Sequence, residues 1–282
     1  MERTKKGFTV VELVIVIAVI AILVSVLIPT FSTLIGKANV SKDTQLCRVL
    51  NEELKIQEAE TGYVKPETYS DLLAKISDKH TIQNLTPTSK GDIVWDQNTN
   101  TFLLIDGDKV VYKYNDKVKF DANKANLNLW KIVNEVPANL ADQKYSMYLK
   151  DNANVTSATV AVGFDAGNNI NITNLTYDRS TATEGQDVII RTNGGTLTIN
   201  APKDIVHHYD YLNGLTITAI DTASYHEHGI IRGKAVINQG HIEVEAGAVV
   251  SQVSVENATG DVKVTANAST LVSVDSSSVS ST

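Results

Sequence analysis

The chain has 282 residues, of which 43% are hydrophobic and 20% are charged, so it is long enough to bury a sizeable core in more than one domain. Its single cysteine, Cys47, excludes an intrachain disulfide and with it the class of small disulfide-stapled secreted scaffolds. The formal net charge is −7, and residues 151–282 hold 6 basic and 14 acidic side chains. This excess of acid disfavours nucleic-acid binding, and we expect no nucleic-acid partner.

The longest apolar run of the chain lies near its N-terminus, where "LVIVIAVIAILV" (13–24) has no polar side chain. As a helix, residues 8–28 would span about 30 Å, which is the thickness of the hydrocarbon core of a bilayer. Arg3, Lys5 and Lys6 precede the run, which predicts a cytoplasmic N-terminus and an exported remainder. A cleaved secretory signal peptide is the alternative, but the helical pattern continues beyond the run and no small-x-small cleavage site directly follows it. We therefore predict a single-pass protein of the cytoplasmic membrane.

One acidic residue, Glu12, lies near the start of this run, where an ionised carboxylate without a partner is costly. The surrounding segment, "KKGFTVVELVIVIAVIAILVSVLIPTF", resembles the N-terminus of type IV pilins and of the pseudopilins of type II secretion. The shared features are a short basic leader that ends in glycine, a phenylalanine, and a glutamate at the fifth position after the glycine. The resemblance covers roughly the first 35 residues.

The resemblance implies a processing site and two assembly residues. A prepilin peptidase would cut between Gly7 and Phe8, removing residues 1–7 as a leader, and the new amino group of Phe8 would be methylated. Glu12 would then meet the Phe8 amine of a neighbouring subunit in a bundle of helices. Pro29 matches the proline that pilin helices often carry where the apolar run ends, and the helix could bend there. A simple helix break that ends the transmembrane span at Pro29 is the alternative.

Beyond Pro29 the helical pattern resumes, with Leu46, Leu50 and Leu54 at every fourth position, and Gly62 is a candidate left-handed cap. One helix is therefore predicted over residues 8–61.

Residues 62–150 are predicted to form a small head. A short helix is expected within "VKPETYSDLLAKISDK" (64–79), followed by a three-stranded antiparallel meander of "DIVWD", "TFLLID" and "KVVYKY". We expect Trp95 and Phe102 to be core residues. Residues 128–151 are left unplaced, as a segment that could complete the edge of the sheet. The fold class is α+β, with the long N-terminal helix packed on this sheet.

Residues 151–282 are rich in Ser, Thr, Asn, Val and Ile, and are predicted to form a separate all-β domain. The segments "TLTIN" (196), "LTITA" (215), "AVINQ" (235), "VSVEN" (253) and "LVSVD" (271) start 18 to 20 residues apart. This spacing suits one strand per coil of a β-solenoid. A β-sandwich with two strands per period is the alternative, and we favour the solenoid. The tail "SVDSSSVSST" is expected to be frayed.

Five of the six histidines lie in this domain. His226 and His228 would share a strand face, and a third imidazole such as His241 from a neighbouring coil could complete a metal site. Surface histidines on a solvated strand are the simpler interpretation, so we expect no metal and no cofactor.

An enzymatic role is not expected. Polysaccharide-cleaving solenoids need clustered carboxylates and a basic residue above a groove, and the chain supplies these residue types without a recognisable spacing. They are Asp204, Asp210, Asp221, Glu227 and Arg232.

The sequence thus predicts a structural subunit, major or minor, of a type IV pilus or pseudopilus that displays its β domain at the cell surface for adhesion. Its partners would be other pilin subunits through the N-terminal helix, the prepilin peptidase, the membrane and an unidentified surface ligand. The alternative is a membrane-anchored adhesin or carbohydrate-binding surface protein that never polymerises.

Overall fold

A computed structural model describes residues 7, 9–76, 80–81, 85–150, 155–167, 172–219, 224–267 and 272–275. The long helix α1 runs over Val10–Glu58 and a short helix α2 over Tyr69–Ile76. Five strands precede the acidic region, and they are β1 Asp92–Asp96, β2 Thr101–Asp106, β3 Lys109–Tyr112, β4 Asn126–Val133 and β5 Tyr145–Leu149. The predicted helices and the predicted meander are all present.

α1 is one continuous helix of 49 residues, about 70 Å long. It passes through Pro29 without interruption, so the alternative that Pro29 ends the helix is wrong. Two threonine hydroxyls donate to main-chain carbonyls around the proline: Thr30 to Val26 and Thr33 to Pro29, each at 2.9 Å. Serine and threonine side chains within helices commonly bond the carbonyl oxygen four residues earlier in this way.

The two halves of α1 have different surroundings. Its C-terminal half buries one face against the head at Asp43, Cys47, Leu50, Asn51 and Leu54, a spacing that follows the helical repeat. The helix ends at Glu58, three residues before the predicted limit, and Gly62 in the following turn has the expected positive φ of 84°. The N-terminal half contacts no other described part of the chain closely enough to be buried.

The head is a small sheet with both helices packed against one of its faces. β1 and β2 are antiparallel with Trp95 opposite Phe102, and β3 is antiparallel to β2. Both aromatic residues are fully buried, as expected. One apolar cluster joins the two helices to the sheet, and it includes Leu50, Leu54, Tyr69, Leu72, Ile76, Trp95, Phe102 and Trp130. The head core therefore depends on the C-terminal half of α1.

The segment that the sequence left unplaced links the head to the acidic region. β4 lies antiparallel to β1, with Trp130 opposite Trp95, and parallel to β5. β5 in turn is parallel to the next strand that it pairs with, Phe164–Asp165, with Met147 opposite Phe164. The antiparallel head sheet thus continues into parallel strands without a break.

From β5 onward every strand pairing is parallel, and the chain winds as a β-solenoid. The strands are β6 Ser157–Val160, β7 Phe164–Asp165, β8 Asn174–Asp178, β9 Asp187–Asn193, β10 Thr196–Asn200, β11 Ile205–Leu212, β12 Gly214–Ala219, β13 Ser224–Glu227, β14 Ile230–Ile237, β15 Gly240–Val244, β16 Val249–Val255, β17 Val262–Ala266 and β18 Val272–Asp275. The solenoid prediction is confirmed, and the sandwich alternative is wrong because a sandwich pairs antiparallel strands.

The predicted repeat stacks in register on one face of the solenoid. Leu197 lies beside Leu215, Leu215 beside Ala235, and Ala235 beside Val253. These side chains are buried in the interior, so 18 to 20 residues correspond to one coil.

One detail of the prediction is wrong, because each coil carries more than one strand. β11, β13, β15 and β17 form a second parallel stack on another face. Two of its inward positions are His208 and Glu227, which are fully buried. Polar residues at inward positions hide the apolar alternation by which a strand is recognised.

Candidate functional site

The processing site implied by the resemblance lies just before α1. Gly7 is exposed, and among the described residues, its chain neighbours aside, no atom lies within 4 Å of the position that a Cβ would take there. Thr9 caps the helix in an extended conformation. Phe8 and the basic residues of the leader lie outside the described residues. Main chain in front of a helix cap, with open space around it, is accessible to a second protein.

Glu12 has a partner within its own chain. Its carboxylate accepts hydrogen bonds from the main-chain N–H and from the hydroxyl of Thr9, each at 2.8 Å, and the Glu12 N–H donates to the Thr9 hydroxyl at 3.3 Å. This is a capping box, which satisfies donors at the start of a helix. Thr9 was not among the residues predicted from the sequence, although the spacing T-x-x-E signals a capping box.

The helix that follows presents an apolar surface with no cover. Every large apolar side chain from Val10 to Ile35 is exposed, from 41% at Val24 to 77% at Val10. The helix is long and apolar enough to cross a membrane, and none of its most apolar stretch is buried in the protein. Exposed apolar surface of this extent marks a contact with lipid or with other protein.

A histidine surface lies on the outer face of the second strand stack. His207 of β11 lies in register with His226 of β13, and His226 with Glu243 of β15. The rings of His207 and His226 stack with their centroids 4.7 Å apart. His226 Nδ1 lies 2.7 Å from Glu245 Oε1 and 3.9 Å from Glu243 Oε2. The hydrogen bond with His226 lowers the pKa of Glu245.

The predicted histidine triad does not converge. His228 bonds His207, with 2.9 Å between its Nε2 and the Nδ1 of His207. His241 lies beside Ser224 in the register, and its Nε2 is 2.9 Å from the hydroxyl of Thr265. The strand register therefore places Glu243, rather than His241, next to His226.

One histidine expected at the surface lies in the interior. His208 is fully buried, and its Nδ1 lies 2.9 Å from Glu227 Oε1 while its Nε2 lies 2.9 Å from the hydroxyl of Thr192. Tyr225 donates its phenolic hydrogen to Glu227 at 2.7 Å. Burial and the neighbouring carboxylate raise the pKa of Tyr225 well above its usual value. This cluster is a satisfied polar core.

The carboxylates considered for polysaccharide cleavage are divided between two environments. Asp204 and Glu227 are fully buried inside the solenoid, where no polymer reaches them. Asp210 is at the surface, 2.5 Å from Arg191 Nη2, and the Arg232 guanidinium lies 4.1 Å from the ring centre of Tyr211. Asp221 lies outside the described residues. The described geometry therefore brings no pair of these carboxylates to one groove.

Comparison with known proteins singles out the N-terminus. The family described as "Prokaryotic N-terminal methylation motif" matches residues 3–28. The first residues of the chain therefore carry this methylation motif. Over 56 residues the chain is 50% identical to a protein named "Type IV wide pilus major component PilA4" from Thermus thermophilus. The match covers 20% of this chain and 40% of that protein, so the chain spans about two fifths of the length of this relative. No solved structure matches the chain.

The resemblance read from the first residues is thereby confirmed. The methylation motif overlaps the start of a helix whose apolar half is exposed, and the chain is similar to a pilin over part of its length. Together these findings mark a membrane-anchored protein. The family match ends at residue 28, before the solenoid begins. The solenoid is therefore assigned from its parallel strand pairings alone.

Proposed function

We propose that the protein is a structural subunit of a type IV pilus or pseudopilus. In this proposal residues 1–7 form the leader, residues 8–61 the long helix, residues 62–150 the head and residues 151–282 a displayed β domain. A prepilin peptidase cuts between Gly7 and Phe8, and the new Phe8 amine is methylated. The observation that carries the proposal is the methylation motif over residues 3–28 on a helix with a fully exposed apolar half.

The exposed half of α1 is suited to two successive environments. Burying one Val, Leu or Ile side chain is worth about 1.5–3 kcal/mol, so the bare helix is strongly disfavoured in water. Lipid covers it before assembly, and the helices of neighbouring subunits cover it in the fibre core. The head covers only the C-terminal half of α1, which leaves the N-terminal half free to make either contact.

Glu12 is proposed to act between subunits as well as within its own. Its contacts with Thr9 occupy Oε2. Within the described part of the chain no residue bonds Oε1, and in the proposal this oxygen accepts from the Phe8 amine of the next subunit. A buried ion pair of this kind contributes more to register than to net stability, since both charges lose their water. Assembly would therefore depend on the charge of Glu12. The ion pair would fix how far the helices of neighbouring subunits are shifted along each other.

The solenoid is proposed to face outward and to make the surface contacts of the fibre. Its acidic balance, with 14 acidic and 6 basic residues, keeps such a module soluble and disfavours nucleic acid. Adhesion to an unidentified surface ligand is the role we propose for it. Every copy of a major subunit would have to fit this bulky C-terminal module into the lattice, so the proposal includes a minor or tip subunit as well as a major one.

The test is intact mass and N-terminal sequencing of membrane-extracted protein, produced with and without a prepilin peptidase. We expect a start at Phe8 and one additional methyl group only when the peptidase is present. A start at Met1 in both samples contradicts the proposal and leaves the membrane-anchored adhesin that never polymerises. Cleavage without fibres would separate processing from assembly.

A further inference from the structure

Three side chains with metal-binding atoms converge on the outer face of the solenoid. His226, Glu243 and Glu245 each offer one such atom, and these atoms all lie within 4.8 Å of one another. The residues come from two successive coils, because β13 and β15 are parallel neighbours. All three side chains are half-buried, so they are accessible to solvent but held by their surroundings.

The separation of these atoms suits a metal after small side-chain movements. Bonds of about 2.0–2.2 Å from a tetrahedral zinc ion place the ligand atoms roughly 3.3 Å apart. His226 Nδ1 lies 2.7 Å from one Glu245 oxygen and 3.9 Å from one Glu243 oxygen, which brackets that spacing. The adjustment that each distance needs is about 1 Å or less, which is within the reach of a glutamate side chain.

The surroundings hold the ligands in the manner of a metal site. The second ring nitrogen of His226, Nε2, lies 2.6 Å from the hydroxyl of Ser224. Asn267 donates its side-chain N–H to the other carboxylate oxygen of Glu245 at 3.1 Å. Metal-bound histidines and carboxylates characteristically have their remaining atoms held by such second partners. The stacked ring of His207 further restrains His226.

The cluster brings two carboxylates together with one imidazole, so it concentrates negative charge that a divalent cation would neutralise. The donor set of one imidazole nitrogen and two carboxylate oxygens favours zinc or a similar first-row ion over calcium or magnesium, which prefer oxygen ligands alone.

We propose that His226, Glu243 and Glu245 bind a divalent transition metal ion, with Zn²⁺ the best match to the donors. Three protein ligands leave a coordination position open. That position takes water in the free protein, and an external oxygen or nitrogen ligand can replace it. The site would place a metal on the outer surface of the displayed domain, independently of whether the chain polymerises.

The experiment titrates ZnCl₂ into the full-length detergent-solubilised protein, after treatment with a chelator, and measures heat together with bound zinc by elemental analysis. We expect one zinc ion per chain. Glu243→Gln and Glu245→Gln should each weaken binding by about tenfold or more, with far-ultraviolet circular dichroism unchanged. Asn267→Ala tests the second partner and should weaken binding less than loss of a ligand.

His241→Ala is the matched control. His241 lies on β15, as Glu243 does, but it bonds Thr265 and not the cluster. We expect its affinity to equal that of the unmodified protein. Binding that falls in His207→Ala or His241→Ala but not in Glu243→Gln overturns the proposal and places the ion at the imidazoles. If the full-length protein holds no zinc after one equivalent of ZnCl₂ has been added, the proposal of a metal site is overturned altogether.

Discussion

The side-chain amide of Asn51 on α1 makes two hydrogen bonds to the main chain of Phe102 on β2. Its Nδ2 donates to the Phe102 carbonyl at 2.9 Å, and its Oδ1 accepts from the Phe102 N–H at 2.7 Å. β3 ends at Tyr112, opposite Leu104, and so does not extend along β2 as far as Phe102. The fully buried amide takes the place of a strand there, and it fixes how the helix lies on the sheet.

Replacing Asn51 should therefore destabilise the head. Asn51→Ala leaves a buried N–H and a buried carbonyl without partners, and we expect the free energy of unfolding to fall by about 2–4 kcal/mol. Urea unfolding followed by the fluorescence of the buried tryptophans measures it. Asn98→Ala, at an exposed turn position, should change the free energy by less than about 0.5 kcal/mol. Equal effects of the two changes would contradict the role given to Asn51.

Cys47 should be unreactive in the folded protein. Its side chain is fully buried on α1, and burial, with the nearby Asp43 carboxylate, raises the pKa of the thiol to about 12. At pH 8 only about one thiol in ten thousand is then the reactive thiolate. Mass spectrometry should find no iodoacetamide adduct natively and full modification in denaturant. Rapid native alkylation would show that α1 leaves the head.

The observed capping role of Glu12 and its proposed role between subunits can be separated by three variants. Glu12→Gln keeps the capping box but loses the charge, Thr9→Ala loses the reciprocal cap but keeps the charge, and Glu12→Ala loses both. If the charge acts between subunits, Glu12→Gln and Glu12→Ala should lose fibres while Thr9→Ala retains most of them. Fibre yield and the membrane pool are compared by immunoblot of sheared and cell-bound fractions.

The control for these variants is Glu52→Ala, an exposed acid on the same helix, which should assemble normally. Loss of fibres in Thr9→Ala alone would show that the cap, and not the charge, is what assembly needs.

Replacing Gly195 by alanine should destabilise the protein much more than replacing Gly247 by alanine. Both have positive φ, 74° and 88°, so alanine at either position carries a conformational cost of about 1 kcal/mol. At Gly195 an added Cβ would also lie 1.7 Å from the carbonyl oxygen of Ile172, whereas at Gly247 nothing lies within 4 Å. Thermal unfolding should show a clearly larger loss of stability for Gly195→Ala. Similar losses would mean that the coils can separate at that turn.

The buried pair of His208 and Glu227 should be strongly coupled. His208→Leu removes one partner of a fully buried carboxylate, and we expect a loss of about 3–5 kcal/mol in the free energy of unfolding. The double change with Glu227→Leu should cost less than the single change, because no uncompensated charge remains. Glu256→Gln, in the exposed pair with Lys234, should cost at most about 1 kcal/mol. A double variant less stable than His208→Leu would contradict this account.

The sequence by itself determined the features that depend on neighbouring residues along the chain. The apolar run and its motif, the capping spacing of Thr9 and Glu12, and the meander between turn sequences are all local patterns. The solenoid also followed from local information, since apolar residues such as Leu215 and Ala235 recur once per coil and stack in register.

Only the tertiary structure decided which side chains meet between coils and between domains. The period gives the length of a coil, but small shifts at turns and bulges set the register, and that register put Glu243 beside His226 and turned His208 inward. The place of residues 128–151 was likewise undecided, because a strand that is antiparallel to β1 and parallel to β5 has no distinctive pattern of its own. Local sequence specifies strands, whereas the packing of the whole chain specifies their neighbours.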